Sequence, residues 1–182
     1  MLCYNAGQFA ASFRTVRKNT IQVAEDIPED QYGHVPFEGG RSVGQMLTHI
    51  ALSPRLVWIG MHGDRSTDVT KFDFASLAQR ARAEEAMPRS KAQIIELLTS
   101  EGEQFAEFLS SMSDADLSAQ VMGNSAAGPA PRSRFDMLLS AKEHEMHHRA
   151  QLMLIERQLG IVPHLTRQMM ARMEQMRARA GA

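Results

Sequence analysis

The chain has 182 residues, with 20 basic and 21 acidic side chains and a formal net charge of -1. This length suits one domain with a substantial core, which we expect to span residues 1–182. The balanced charge argues against nucleic acid or an anionic membrane as a partner, because no global positive field would attract either. Cys3 is the single cysteine, so the sequence excludes an intramolecular disulfide and a multi-cysteine zinc site.

The sequence shows no targeting or membrane segment. No stretch approaches the roughly 20 apolar residues of a membrane-spanning helix. Near the N-terminus, Arg14, Arg17 and Lys18 are spread through an amphipathic pattern instead of preceding an apolar run, which argues against a signal peptide. These features predict a soluble cytoplasmic protein.

The first two helices are predicted from their periodicity and capping residues. An apolar stripe with alternating spacings of three and four indicates the first helix: Ala6, Phe9, Phe13, Val16, Thr20, Val23 and Ile27. A loop follows over residues 28–41, and Ser42 opens a second helix with a capping-box pattern. Pro54 should kink or interrupt that helix, because it has no amide to donate to the Ile50 carbonyl. The helix is expected to resume and end near Gly60 to Gly63.

The rest of the chain predicts further helices. A short helix is indicated over residues 75–87, and Ser90 begins a third long helix. Glycines and prolines predict a loop over residues 113–132, before a fourth long helix from near Ser133 to Gly160. A last, methionine-rich helix is expected from about Leu165 to Arg179. No segment shows the period-two alternation of a strand, so the predicted fold class is all-α: an antiparallel four-helix bundle with one or two additional short helices.

The fourth predicted helix carries the segment Glu143-His144-Glu145-Met146-His147-His148-Arg149. His144 and His148 are four residues apart, so both side chains point to one side of the helix and can reach one metal ion. The buried stripe of this helix is defined by Leu138, Ala141, Leu152, Ile155 and Leu159. Projection onto that stripe places His148 within it, His144 at its edge and His147 outside it.

A third metal ligand is expected from another helix. His49 lies in the middle of the second helix, whereas His34, His62 and His164 lie in loops or at helix ends. Three neutral imidazoles in a bundle core would leave coordination positions open for water or a substrate, as in catalytic metal sites. Imidazole ligands suit several divalent transition metals alike, so the ligands do not identify the ion.

Glu145 and His147 are the candidate catalytic residues, and either could handle protons beside the ligands. Other interpretations stay open at this point. The letters His144-Glu145-x-x-His148 also match a zinc-protease string, although no third ligand follows nearby and no strand is predicted that would hold an extended peptide. A His-x-x-x-His pair on an exposed helix often has no function, and His49 alone could be a hydrogen-bonded core histidine.

Two segments of the sequence resemble a known family. Ser42-Val43-Gly44-Gln45-Met46-Leu47-Thr48-His49-Ile50-Ala51 resembles the second-helix motif of the DinB/YfiT-like superfamily of metal-dependent enzymes. His144-Glu145-Met146-His147-His148-Arg149-Ala150-Gln151-Leu152 resembles its His-x-x-His-His-Arg-Gly-Gln signature, with Ala150 at the usual glycine. The resemblance spans nearly the whole chain, including the Ile27-Pro28-Glu29-Asp30 turn.

The resemblance implies a four-helix bundle, often dimeric, in which His49, His144 and His148 hold zinc, nickel or a similar ion. Characterised relatives include thiol-dependent transferases and isomerases that use bacillithiol, mycothiol or glutathione. The expected function is therefore that of a metal-dependent enzyme acting on a small molecule: an S-transferase or isomerase with a low-molecular-weight thiol, or a hydrolase. The alternative is a non-catalytic metal-binding or stress-associated dimeric bundle. The methionine-rich last helix also favours a homodimer.

Overall fold

The computed structural model describes residues 4–180, and helices make up most of them. In chain order the elements are α1 (Ala6–Asp26), a 3₁₀ turn (Glu29–Gln31), α2 (Val43–Ser53), a π-helical segment (Pro54–Ile59), α3 (Gly60–His62), α4 (Phe74–Glu85), α5 (Lys91–Ser110), α6 (Asp114–Ser118), β1 (Gln120–Ser125), β2 (Gly128–Ser133), α7 (Arg134–Gln158) and α8 (His164–Ala180). The long helices α1 and α2 both pack against α5 and α7. This arrangement confirms the predicted all-α four-helix bundle.

Polar caps begin the four bundle helices. Asn5, Ser42 and Ser90 each accept a hydrogen bond from the amide three residues on, and a glutamine at that position completes each capping box. Ser133 caps α7 by accepting from the Asp136 amide at 3.1 Å. These side chains satisfy amides that have no partner within the helix, so the helices begin where the capping pattern predicts.

Pro54 widens the second helix instead of ending it. A π-helical turn runs from Pro54 to Ile59, and α3 continues the same helical path to His62. The Ile50 carbonyl, which has no amide donor at Pro54, accepts a hydrogen bond from Arg17 Nη2 at 3.2 Å. The disturbance expected at the proline therefore takes the form of a wider turn, and a side chain from α1 satisfies the free carbonyl.

Residues 114–133 correct the prediction that this region is a loop without strands. After α6, β1 and β2 form an antiparallel hairpin in which Met122 lies opposite Pro131. The Met122 amide donates to the Thr67 carbonyl, and the Met122 carbonyl accepts from the Val69 amide. Pro131, which lies opposite Met122, therefore does not need an N–H directed toward β1. Prolines and glycines concealed the hairpin in the sequence, because they replace the alternating side chains that normally indicate a strand.

A buried ion pair links the four long helices at the centre of the bundle. Arg17 of α1, which is 4% exposed, donates to the Glu145 carboxylate of α7 at 2.9 to 3.1 Å. Its remaining donors reach the Leu98 carbonyl of α5 at 2.7 Å and the Ile50 carbonyl of α2 at 3.2 Å. Thr20 donates its hydroxyl to Glu145 at 2.7 Å. One guanidinium therefore holds α1, α2, α5 and α7 together.

Most of α8 is exposed in the described part of the chain. Four methionines of α8 are exposed: Met169, Met170, Met173 and Met176. A homodimer stays a prediction. No helix within residues 4–180 combines the length and the apolar character needed to cross a membrane. Cys3 lies outside the described residues.

Glu156 of α7 should make the stability of the fold depend on pH. Its side chain is 0% exposed, and neither carboxylate oxygen has a hydrogen-bond partner among residues 4–180. Burial, with a contribution from the negative charge of Asp26, raises the pKa of Glu156 to about 7. Because the folded state binds this proton more tightly than the unfolded state, the stabilisation is complete below about pH 4.5 and is lost as the pH rises through 7.

We therefore expect Glu156→Gln to unfold at a higher urea concentration than the unmodified protein at pH 8. The gain in the free energy of unfolding should reach about 3 kcal/mol at pH 8 and shrink toward pH 5. Glu96→Gln, which changes an exposed carboxylate of α5, is the matched control and should show no such pH dependence. If Glu156→Gln changes the free energy of unfolding by the same amount at pH 5 and pH 8, the raised pKa of Glu156 is not the cause of the pH dependence.

Candidate metal centre

The structure brings together the three histidines proposed as metal ligands. His49 Nε2, from α2, lies 3.0 Å from His144 Nε2. His148 Nε2 lies 3.2 Å from the same His144 atom, because His144 and His148 occupy successive turns of α7. One nitrogen from each ring lies within 4.8 Å of the other two.

The chemistry of these nitrogens fits a divalent metal. His144 Nε2 faces two other ring nitrogens at once, and a single proton cannot satisfy both contacts. In a tetrahedral site with bonds of roughly 2.0–2.1 Å, neighbouring ligand nitrogens lie about 3.3 Å apart, close to the separations found here. Three nitrogens also leave room for further ligands, as in a catalytic site.

Two of the rings are oriented by partners at their other nitrogen. His49 Nδ1 lies 2.7 Å from Glu85 Oε1, at the end of α4. His148 Nδ1 lies 2.8 Å from Gln151 Oε1, one turn further along α7. Carboxylate and amide oxygens only accept hydrogen bonds, so both Nδ1 atoms donate, and in a neutral ring Nε2 then carries the free lone pair. The tautomers of His49 and His148 are therefore those that a metal ligand needs.

The electrostatics of the cluster favour neutral imidazoles. Burial, reinforced by His148 and His49, lowers the pKa of His144 to about 3. Burial also lowers the pKa of His148. Although burial acts to raise the pKa of Glu85, hydrogen bonds from His49 and Arg41 bring it below its ordinary value, so Glu85 is a carboxylate near neutral pH.

Trp58 forms the wall of the cluster on the side of the π-helical segment. Its ring centroid lies 5.5 Å from that of His144. The indole Nε1 donates to the Met137 carbonyl at 3.1 Å and to Ser140 Oγ at 2.9 Å, which holds the ring in place. The wider turn after Pro54 thus supplies a rigid apolar surface that shields His144 from water.

The two candidate catalytic residues lie in different surroundings. Both Glu145 oxygens have hydrogen-bond partners on α1, namely Arg17 and Thr20, so these contacts do not support a proton acceptor beside the ligands. His147 is exposed, and its ring centroid lies 4.9 Å from that of His148. His147 Nε2 is 3.3 Å from Gln151 Nε2.

The sequence interpretation missed three residues at the site: Glu85, Arg41 and Gln151. Arg41 Nε lies 2.7 Å from Glu85 Oε2, so the carboxylate that orients His49 is itself held by a guanidinium. Glu85 ends a mostly polar helix in a region without a clear motif, and no pattern marked it. Gln151 could have been found, since a residue three positions after His148 shares its side of the helix.

Two cavities open beside the cluster and share Arg41, Arg82 and Glu85 as lining residues. The apolar cavity, of about 210 Å³, reaches His49 between α2 and α4. Its wall includes Leu52, Leu56, Val57, Phe74, Leu77 and Ala78. The polar cavity, of about 480 Å³, reaches His148 and is also lined by Phe37, Gly39, Gly40, Gln45, Met46 and Gln151. The histidine cluster therefore lies between two spaces of opposite chemistry.

Removal of the Glu85 carboxylate should weaken metal binding without removing a ligand. We expect Glu85→Ala to raise the dissociation constant for zinc about 10- to 100-fold, because His49 loses the partner that fixes its tautomer. Competition with a chromophoric chelator measures the constant. Glu84→Ala, which changes the preceding residue and its ion pair with Arg89, is the control and should bind zinc normally. Equal affinities in both variants would contradict a role for Glu85.

The fold and the cluster together define a helical-bundle protein with a three-histidine site. The family model described as the DinB superfamily matches residues 12–152. The chain belongs to that superfamily.

Individual relatives share the fold at low sequence identity. The chain is 26% identical over 155 residues to YjoA, an uncharacterised protein of Bacillus subtilis (strain 168), which covers 85% of this chain and 91% of YjoA. The structure of YfiT from Bacillus subtilis, described as a "probable metal-dependent hydrolase with an unusual four-helix bundle topology", matches with a TM-score of 0.67 at 16% identity and covers 86% of this chain and 88% of YfiT. A mycothiol-dependent maleylpyruvate isomerase matches with a TM-score of 0.61 at 12% identity, over 79% of this chain and 58% of the isomerase.

Proposed function

We propose that the protein is a metal-dependent enzyme in which His49, His144 and His148 hold zinc or nickel. The observation that carries the proposal is the convergence of three Nε2 atoms, two of them with the tautomer fixed by Glu85 and Gln151. We further propose that it transfers a low-molecular-weight thiol to an electrophilic small molecule, or isomerises such a molecule. YfiT, described as a probable metal-dependent hydrolase, supports the general class, and the mycothiol-dependent isomerase supports a thiol.

The residues around the cluster fit this chemistry. A divalent ion, when bound, supplies Lewis acidity that lowers the pKa of a thiol or water in its open positions. Glu85 and Gln151 hold two of the ligand rings, and Trp58 and the apolar cavity keep water away from the reacting groups. The apolar cavity beside His49 receives the apolar body of the electrophile. In the transfer reaction, sulfur forms a bond to the electrophilic carbon and the leaving group departs with its bonding electrons.

The thiol proton must leave the site, and we assign its transfer to solvent to His147. The His147 ring is exposed and lies next to that of His148, whereas Glu145 is engaged by Arg17. Replacing His147 by glutamine is expected to lower the rate while the metal content stays unchanged. Imidazole buffer should restore part of the rate, because it carries protons in place of the missing side chain.

A conjugation assay tests the proposed function. Zinc- and nickel-loaded protein is incubated with 1-chloro-2,4-dinitrobenzene and, in turn, bacillithiol, mycothiol, glutathione and cysteine. We expect at least one thiol to react faster with loaded protein than with metal-free protein, and His148→Ala to remove the difference. His34→Ala, a loop histidine outside the cluster, is the control. Metal-loaded protein that neither binds any of these thiols by calorimetry nor accelerates the reaction would contradict the proposal.

The second candidate is a metal-binding bundle without turnover. Among the described residues that line the two cavities there is no cysteine or tyrosine, and Ser53 donates its hydroxyl to the His49 carbonyl at 2.6 Å. The described lining of these cavities therefore offers no thiol, no phenol and no serine hydroxyl free of a hydrogen bond as a nucleophile. Stoichiometric metal that is lost in His49→Ala, together with no activity toward any thiol or electrophile, would favour this candidate.

A further inference from the structure

We propose that the polar cavity binds a carboxylate of the thiol co-substrate, with Arg82 as its anchoring residue. This inference rests on the proposed function and adds the class of co-substrate: a thiol that carries a negative charge, instead of a neutral one. It depends on three observations: Arg82 has no salt-bridge partner among the described residues, the lining of the cavity has a net positive charge, and Arg82 and His148 line the same cavity.

Arg82 and Arg41 line the same cavity but differ in their partners. Arg41 forms an ion pair with Glu85, with Nε at 2.7 Å from Oε2, so its charge is already compensated. Arg82, in the last turn of α4, has no salt-bridge partner within the part of the chain that the structure describes. Arg82 is an exposed residue that lines this cavity, so its positive charge is accessible to an incoming anion.

The charges of the cavity favour an anionic ligand. Arg41 and Arg82 contribute two positive charges and Glu85 one negative charge, so these side chains carry a net charge of +1, to which a bound divalent ion would add. The other lining residues are neutral, and the two glutamines are engaged locally: Gln45 Oε1 accepts from the Ser42 amide and Gln151 Oε1 faces His148 Nδ1. This positive charge attracts a carboxylate, whose two oxygens match the planar fork of a guanidinium and accept two hydrogen bonds from it.

The shape of the cavity connects the anion site to the cluster. Arg82 and His148 both line the same space of about 480 Å³. This volume lies in the range of small-molecule sites and is too small for a folded partner. A thiol with a carboxylate can therefore place its sulfur at the histidines while its carboxylate pairs with Arg82, and the apolar cavity stays free for the electrophile.

Calorimetric titration of zinc-loaded protein with two matched thiols tests this inference. The probes are 3-mercaptopropionate and its uncharged analogue 3-mercaptopropionamide. We expect the acid to bind about 5- to 10-fold more tightly than the amide, and Arg82→Gln to reduce this preference to less than about 2-fold. Arg80→Gln, which removes an exposed arginine of the same helix, is the control and should keep the full preference. The preference should also weaken as the salt concentration rises.

The outcomes separate this inference from the proposed function. If both thiols bind the unmodified protein equally, the co-substrate is not selected by charge and the inference is overturned while the thiol function stands. If the acid is preferred but Arg82→Gln keeps that preference, the carboxylate contacts the metal or Arg41 instead, and the assignment of Arg82 is overturned. If neither thiol binds the zinc-loaded protein, the inference is overturned, and the conjugation assay with the four larger thiols decides separately whether the thiol-dependent function stands.

Discussion

Replacement of His144 by alanine is expected to abolish stoichiometric metal binding. His144 Nε2 is the atom that both other ligand nitrogens face, at 3.0 and 3.2 Å, so no two-histidine site with the same geometry remains without it. The dissociation constant for zinc should rise by more than about 100-fold, beyond the effect expected from losing an orienting partner such as Glu85. Elemental analysis of the purified protein and chelator competition measure the loss.

His147→Ala is the matched control for this experiment, because it removes an imidazole from the same segment of α7 that does not belong to the cluster. It should retain one metal ion per chain. Far-ultraviolet circular dichroism should show both variants to be helical. A His144→Ala protein that still binds one zinc ion with unchanged affinity would rule out the proposed site.

Glu145→Ala is expected to cause the largest loss of stability, about 3–5 kcal/mol in the free energy of unfolding. The substitution leaves the Arg17 guanidinium buried without its counter-charge and removes the acceptor of the Thr20 hydroxyl. A charge that is neither solvated nor paired is costly in the core. Urea denaturation followed by circular dichroism measures the change.

The exposed ion pair between Arg14 of α1 and Glu103 of α5 provides the control. Glu103→Ala should cost at most about 1 kcal/mol, because water solvates the remaining arginine. The double variant Arg17→Met, Glu145→Leu should be more stable than Glu145→Ala alone, since it removes both buried charges. If the double variant is no more stable than the single one, the unpaired charge is not the cause of the loss.

The helices and the three central histidines could be predicted because they depend on local patterns. The apolar stripe of α1 and the serine caps of α2, α5 and α7 are set by spacing along the chain. The separation of His144 and His148 likewise places both on one side of α7 without knowledge of the fold. His49 required one further assumption, that the second helix lies beside the fourth, and the packing of α2 against α7 meets it.

The features that escaped prediction depend on contacts between distant parts of the chain. Glu85 reaches His49 only because α4 folds across α2, and nothing in its own neighbourhood marks it as an orienting residue. Arg17 occupies a buried position next to the apolar stripe of α1, and its partners come from three other helices. The hairpin was not predicted because prolines argue against a strand. Pro129 and Pro131 are tolerated in β2 because their positions require no amide directed toward β1, which the sequence alone does not reveal.

The Arg17 ion pair has a consequence for the proposed metal site. In small zinc modules the ion supplies the energy of folding, so a chain that loses the ion unfolds. Here Arg17 already ties together the helices that carry His49, His144 and His148, and a large apolar core surrounds it. The metal-free chain should therefore stay folded with its ligands in place. If the proposed site binds an ion, the folded chain would therefore take it up or release it as an intact molecule.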